Sequence, residues 1–278
     1  MAVKDYAVKY SPVVDEKFRG EAKSEGTINH NYDFVGAKTV KVYRIETAPM
    51  NDYKRSGQQR YGAAEELAAD TDEMTMTQDR SFTFTIDKMN EDETAGALQA
   101  GAALARQLEE VVIPEIDKYR FTQMAINAGT KKSGEITKEN VADEITTATE
   151  ALDDARVPVT NRFLVVTPAT YRHMKNSKEI VLDTEVGQEM KLRGVIAMYD
   201  GMEIIKSTSR DMPEGANFIA GHDSATVSPV KLAEYKIHTD PQGISGSLVE
   251  GRVYYDAFVL KNKVDGLYYH GAEVTEGE

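Results

Sequence analysis

The histidines at positions 30, 173, 222, 238 and 270 are the first place to look for acid–base or metal chemistry, because imidazole changes charge near neutral pH. No two of them stand four apart, and no H-E-x-x-H occurs, so the spacing of a helical zinc site is missing. His173 falls on a predicted helix and reads as a solvated or packed residue. His222-Asp223 follows a predicted strand, where an active site could stand, but a turn capping polar backbone accounts for it more simply. The sequence has no cysteine, which excludes disulfides, thiolate nucleophiles and Cys-ligated metals. "GISGS" at Gly243 is half of a nucleophile elbow without the G-x-S-x-G spacing. "GSLVEGR" has the glycine spacing of a phosphate loop, yet Arg252-Val253 stand where Lys and Ser/Thr belong, and it runs into a strand. The acidic group of Asp87, Glu91, Asp92 and Glu93 lacks the spacing of a calcium loop and reads as helix capping. These residues imply no catalytic centre, no cofactor and no metal, and the chain is expected not to be an enzyme.

Composition narrows the remaining classes. A chain of 278 residues with 41% hydrophobic residues can bury a core, as one domain or two intimately joined subdomains. No run approaches the roughly 20 apolar residues of a membrane span, and the charged N-terminus lacks the apolar core of an export signal. A net charge of -13 repels phosphate, which argues against nucleic-acid gripping as the main role.

Residues 1–36 read as an extended arm with at most a short helix near Asp15. In "KTVKVYRI", Val40 and Val42 share one face, while Thr39, Lys41, Tyr43 and Ile45 share the other. A polar stretch follows, and "MTMTQDRSFTFTID" returns with Met74, Met76, Phe82, Phe84 and Ile86 at period two. The simplest assembly is one long β-hairpin. Its charged tip is bipolar, with Lys54, Arg55 and Arg60 ahead of Glu65, Glu66, Asp70, Asp72 and Glu73. A helix from about 91 to 113 follows, with Asn90 as N-cap, Glu93 at the third position, and a stripe of Leu98, Ala102, Ala105, Leu108 and Val112. Pro114 is expected to kink or restart it.

The remainder reads as alternating short elements. "TKKSGEI" is a turn, and a helix carries Val141, Ile145, Ala148, Leu152 and Ala155 on one face. "FLVV" is a buried strand, Thr167 caps a helix with Pro168 at its first position, and Asp200-Gly201 closes a hairpin. Strands follow at "NFIAGH", "TVSPVKLAEYKIHTD", "SLVEGRVYYDAFVL" and "LYYH", then an acidic tail. A two-stranded ribbon is marginal in water and needs a surface, either its own core or another subunit.

At "SFTFTIDKMNEDET", "VVIPEIDKYRF" and "GRVYYDAFVLKNKVDGLYYH", the chain resembles the tailed-phage major capsid proteins of the Hong Kong 97-type fold, particularly coat proteins of phages of Gram-positive bacteria. "NRFLVVTPATYRHM", "GMEIIKSTS" and "NFIAGHDSA" stand in the expected order. The resemblance implies an α+β fold with an N-terminal arm (1–36), an extended β-hairpin loop (37–90) and a peripheral domain with a spine helix (91–154). It further implies an axial domain (155–235), and return strands with an acidic tail (236–278). On this reading the hairpin's missing partners belong to other copies, and Lys54, Arg55, Arg60, Glu65 and Glu66 make inter-subunit contacts. The implied function is an icosahedral head shell of pentamers and hexamers, found in the virion, made in the host cytoplasm, and enclosing dsDNA without sequence-specific binding. A separate scaffolding protein and a portal would act as partners, with no membrane involved. Deleting 51–72 is expected to spare the fold and impair assembly. An encapsulin-like compartment for cargo enzymes and a soluble α/β enzyme are the alternatives.

Overall fold

The computed structural model describes residues 22–29, 39–45, 47–48, 50–63, 66, 69–93, 99–177 and 198–274; for 41–45, 69–70, 93 and 231–233 it describes the backbone alone. A 3-10 turn, Glu25–Thr27, comes first, followed by β1 (Thr39–Ile45), β2 (Ala69–Thr75), β3 (Gln78–Asp87) and α1 (Lys88–Glu93). Next come α2 (Ala100–Gln107), a π-helical turn (Leu108–Val112), α3 (Ile113–Asn127), β4 (Thr130–Lys132) and α4 (Val141–Asp154). Then follow β5 (Arg162–Val166), α5 (Pro168–Asn176), β6 (Met198–Tyr199), β7 (Met202–Lys206) and β8 (Ala216–His222). β9 (Thr226–Val227), β10 (Val230–Thr239), β11 (Gly246–Tyr255), β12 (Phe258–Val259) and β13 (Leu267–Gly271) complete the order.

The apolar run in β5 needs cover on both faces, and it has it. β5 lies inside a six-stranded mixed sheet of order β4-β13-β8-β5-β7-β6. Leu164 and Val166 face one side, with Phe218, Ala220 and Tyr268, against Ile145, Ala148 and Leu152 of α4 and Met174 of α5. Phe163 and Val165 face the other, with Ile219, Leu267 and Tyr269, against Phe121, Met124 and Ala125 of α3 and Ile28 of the N-terminal segment. The result is a helix–sheet–helix stack with a core on each side of the sheet. β4 and β13 join strands of residues 162–222 in this one sheet, so its hydrogen bonding runs across segments that the sequence separates.

Local signals act as their chemistry requires. Thr167 Oγ1 accepts from Thr170 N–H at 3.3 Å, capping α5 with Pro168 at its start. Asp200 and Gly201 both take positive φ, as the two-residue hairpin between β6 and β7 demands. "GSLVEGR" forms β11, with no phosphate-loop geometry. "TKKSGEI" is a turn only in part, since Thr130–Lys132 is strand β4, paired parallel with β13.

Two expectations are corrected around residue 87. β3 does not continue the hairpin: β1 pairs with β2, whereas β3 pairs with β11 in a second sheet of order β10-β11-β3. The partners of Phe82, Phe84 and Ile86 therefore belong to the same chain. Apolar residues of one parity on both sides of Gln78 and Arg80 hide this switch, because period two specifies a face and not the neighbouring strand. Gly251 of β11 makes room here, since a Cβ would lie 2.3 Å from the Phe82 ring. The helix cap also moves. α1 begins at Lys88, and Asp87 Oδ1, not Asn90, accepts from Met89 N–H at 2.9 Å. Leu98 lies outside the described residues, as does Asp15.

Pro114 leaves its mark one turn upstream. Ile113 N–H bonds to Leu108 C=O, five residues back, so the ladder widens just where proline lacks a donor. Neither α2 nor the π-helical turn has a buried residue, and Val111 is 44% exposed. The stripe read from sequence here is thus covered only in part within the subunit.

Candidate assembly interface

The β1–β2 hairpin is a two-stranded sheet separate from the others, and its register places Lys41 opposite Glu73 and Arg44 opposite Asp70. Much of the acidic half of the sequence-read tip therefore lies along β2, facing basic positions of β1. Asp72 is likewise a root residue: it is buried, with Lys261 Nζ 3.3 Å from its Oδ1. What remains at the tip is the loop between the strands. Every described residue from Met50 to Tyr61 is exposed.

Lys54, Arg55, Arg60 and Glu66 are all exposed there, and Glu65 lies outside the described residues. The loop turns back on itself through Lys54 N–H donating to Arg60 C=O at 2.9 Å, and Arg60 Nε donates to Gly57 C=O at 3.2 Å. Tyr53 and Tyr61 meet edge to face, with ring centroids 5.0 Å apart. Met50 is 98% exposed and Tyr61 83%. Sequence reasoning weighed only the charges of this loop. The signal for its apolar residues was present, in a methionine and two tyrosines within a polar stretch that lacks strand periodicity.

The root is built differently. Met74 and Met76 are buried with Val227 and Leu260, and Val40, Tyr254 and Phe258 pack against them. Two residues, Met76 and Thr77, carry the chain from β2 to β3. Tyr254 O–H donates to Met76 C=O at 2.8 Å. Thr77 donates from N–H (2.7 Å) and from Oγ1 (3.0 Å) to Oδ2 of buried Asp256. The other carboxylate oxygen accepts from Tyr119 O–H at 2.7 Å and from Ala257 N–H at 2.8 Å. Burial, then the hydrogen bond to Asp256, drives the Tyr119 phenol pKa well up, so it stays a donor. Burial also pushes Tyr255, whose ring stands edge-on to Tyr119 at 5.6 Å, up to about 12. Asp256 was missed, although one charge inside the apolar run "YYDAFVL" was its signal.

The N-terminal segment seats on the same helix. Asp117 of α3 accepts from Lys23 N–H at 2.8 Å and from the Ser24 hydroxyl. Arg120, one turn on and buried, donates to Ser24 Oγ (2.8 Å), Glu25 Oε2 (3.1 Å) and Ser228 Oγ (2.8 Å).

The chemistry-bearing residues do not gather. His222 caps a 3-10 turn by accepting from Ser224 N–H at 3.1 Å, while His173 stands half-buried on α5 and His30 lies outside the described residues. Among the described residues no three His, Asp or Glu side chains are placed to hold a metal ion. No helix among them is long and apolar enough to cross a membrane. A cleft between β3, β11 and the helix, lined by Phe82, Val111, Ile116 and Tyr255 and rimmed by the Arg80–Glu115 pair at 2.7 Å, holds about 90 Å³.

A profile of the phage capsid protein family matches residues 71–270. The chain belongs to that family. The capsid protein shares its fold with a chain of Mycobacterium phage Che8, at 20% identity and a TM-score of 0.77 over 94% of this chain and 95% of that one. The cyanophage P-SCSP1u capsid chain matches at 12% identity and 0.74, over 99% and 94%. The mature capsid of bacteriophage PhiM1 matches at 12% and 0.71, over 94% and 90%. No curated protein matches the sequence. The α+β, Hong Kong 97-type fold and the role of a structural major capsid protein of the phage head follow. Neither the family nor the matched structures point to a cargo compartment or a soluble enzyme.

Proposed function

We propose that the capsid protein builds an icosahedral head shell as a homo-oligomer of pentamers and hexamers, with each hairpin tip lying on a neighbouring subunit. The observation that carries this reading is the exposure of the whole described loop from Met50 to Tyr61, aromatic pair included, at the end of a two-stranded ribbon. Such a ribbon is marginal in water, and covering the Met50 and Tyr61 side chains contributes about 2 kcal/mol each. Lys54, Arg55, Arg60, Glu65 and Glu66 set register more than strength, since exposed ion pairs contribute about 0–1 kcal/mol. Contacts of this size become cooperative when a closed shell repeats them.

In this reading residues 1–36 form an arm, 37–90 the extended loop, and 91–154 with 236–278 the peripheral domain. Residues 155–235 form the axial domain and meet their equivalents at the five- and six-fold centres. The half-covered face of α2 supplies further surface for neighbours. The shell encloses dsDNA without sequence-specific contact, consistent with a net charge of -13 that opposes phosphate gripping. A separate scaffolding protein and a portal act with it in the host cytoplasm. The role is structural, with no reaction catalysed.

Negative-stain microscopy of the purified chain, alone and with a scaffold, tests the reading. Because β2 begins at Ala69, the deletion that isolates the tip is 51–63, replaced by a short glycine linker. The expected result is an unchanged thermal unfolding curve and no closed shells. Normal shells from this variant would overturn the tip assignment, and nuclease-protected DNA in wild-type particles checks the cargo.

A further inference from the structure

Apolar contact holds the hairpin root without giving it a direction. Met74 and Met76 rest on Val227 and Leu260, and such packing tolerates sliding because the hydrophobic effect is non-directional. Direction comes from polar contacts: Tyr254 O–H holds Met76 C=O, Lys261 stands by Asp72, and both donors of Thr77, the last residue before β3, converge on one side chain. Asp256 follows β11 directly and is 2% exposed. Its Oδ2 takes both donors of Thr77, the backbone N–H and the hydroxyl, and its Oδ1 takes the Tyr119 hydroxyl and Ala257 N–H. One oxygen therefore faces the outgoing ribbon and the other faces the body. Four donors match the accepting capacity of an ionised carboxylate, and bonds to a charged acceptor are the stronger kind. The residue carrying the carboxylate is itself tied. Ser228 Oγ donates to Asp256 C=O at 2.7 Å, and Ser228 accepts from Arg120 of α3.

We propose that Asp256 is a positioning residue for shell formation: its carboxylate sets the angle at which the hairpin leaves the body, by gripping Thr77 with one oxygen while α3 holds the other. The proposal rests on the reading of the hairpin as the inter-subunit arm. Apolar root contacts keep the ribbon attached; the carboxylate selects one direction for it, so that a tip far from the body reaches the same place in every subunit.

The absence of cysteine allows the angle to be measured directly. Thr71→Cys on β2 and Asp154→Cys at the end of α4 are both exposed and take a spin-label pair. Pulsed electron spin resonance on dissociated, full-length subunits then reads the distance between ribbon and body. The wild-type background is expected to give one narrow distribution. Asp256→Ala is expected to at least double its width and to lower the yield of closed shells at least tenfold. Thr77→Pro removes both ribbon donors and leaves Asp256 its body partners, and the same broadening is expected; it also decides the matter if Asp256→Ala fails to fold. Asp256→Asn keeps an acceptor for Thr77 and is expected to restore a narrow distribution. A wild-type distribution in folded Asp256→Ala or Thr77→Pro overturns the proposal, as does an Asp256→Asn variant as broad as the alanine one. Failure of the wild-type chain to form shells would count against the proposed function alone, because the distance is read in dissociated subunits.

Discussion

The six-stranded sheet and the β1–β2 hairpin are both β-structure, yet they are stabilised in opposite ways. In the sheet, all five residues of β5 are buried, and helices cover both faces. In the hairpin, the two strands pair with each other among the described residues, the described tip is exposed, and the buried side chains described are those of the root. The sheet is complete within one subunit. The described hairpin tip has no such cover within the subunit. A long core strand tolerates little change, whereas a projecting arm can vary freely except where it is gripped and where it touches.

The sharpest test of this contrast is a cavity on the sheet side. Phe218 is fully buried, stacked on Tyr268 and on His270 at 6.1 and 5.0 Å. Phe218→Ala should cost about 3–5 kcal/mol in urea unfolding. Met76→Ala at the hairpin root should cost about 2 kcal/mol, because the site borders a smaller cluster with more room to relax. Equal costs at the two positions would break the contrast.

Acid should act on the sheet side as well. His270 is 1% exposed; Asn217 donates to its Nδ1 at 3.1 Å, and its Nε2 lies 3.6 Å from Glu144, which pairs with Lys132 at 2.6 Å. Burial holds the imidazole pKa below 6.5, the Glu144 charge opposing this and Lys132 adding to it. Below about pH 6.5 the unfolded chain binds a proton that the folded one does not. This contribution to stability is therefore complete above that pH and declines as pH falls toward the folded-state pKa, by at most about 1.4 kcal/mol per pH unit. His270→Gln should remove that part of the slope, read as urea midpoints across the acid range. The smallest effect on folding belongs to the tip. Tyr61→Ser should change unfolding free energy by less than about 0.5 kcal/mol. The same substitution should raise the concentration needed for shell assembly several-fold, measured by light scattering.

Element by element, legibility followed the locality of the signal. β5, the Thr167-Pro168 helix start and the Asp200-Gly201 turn were readable because each rests on residues within one or two turns of chain. The split between β2 and β3 was not, since Met74, Met76, Phe82, Phe84 and Ile86 share one parity on both sides of the polar residues 77–81 while the strand partner changes. Asp87 displaced Asn90 as the cap because the helix begins at Lys88, directly after the strand, and not at residue 91. At the site, the tip charges were visible as a run, but Asp72 in that run proved to be a buried root residue beside Lys261. Asp256 and Thr77 meet across 179 positions, and no local pattern reports such a pairing.

By itself the amino-acid order determined local elements such as β5, α4, α5 and the Asp200-Gly201 turn, the absence of thiol chemistry, the acidic field, and the succession of motifs by which the capsid family is met. These are matters of periodicity, capping and composition, which act over a few residues. Only the tertiary structure decided which strand stands beside which, and that β3 is held by β11 of its own chain. It also decided that a lone carboxylate joins the ribbon's root to α3. Partner choice depends on the summed burial of distant segments, and that sum exists only once the chain has closed around its core.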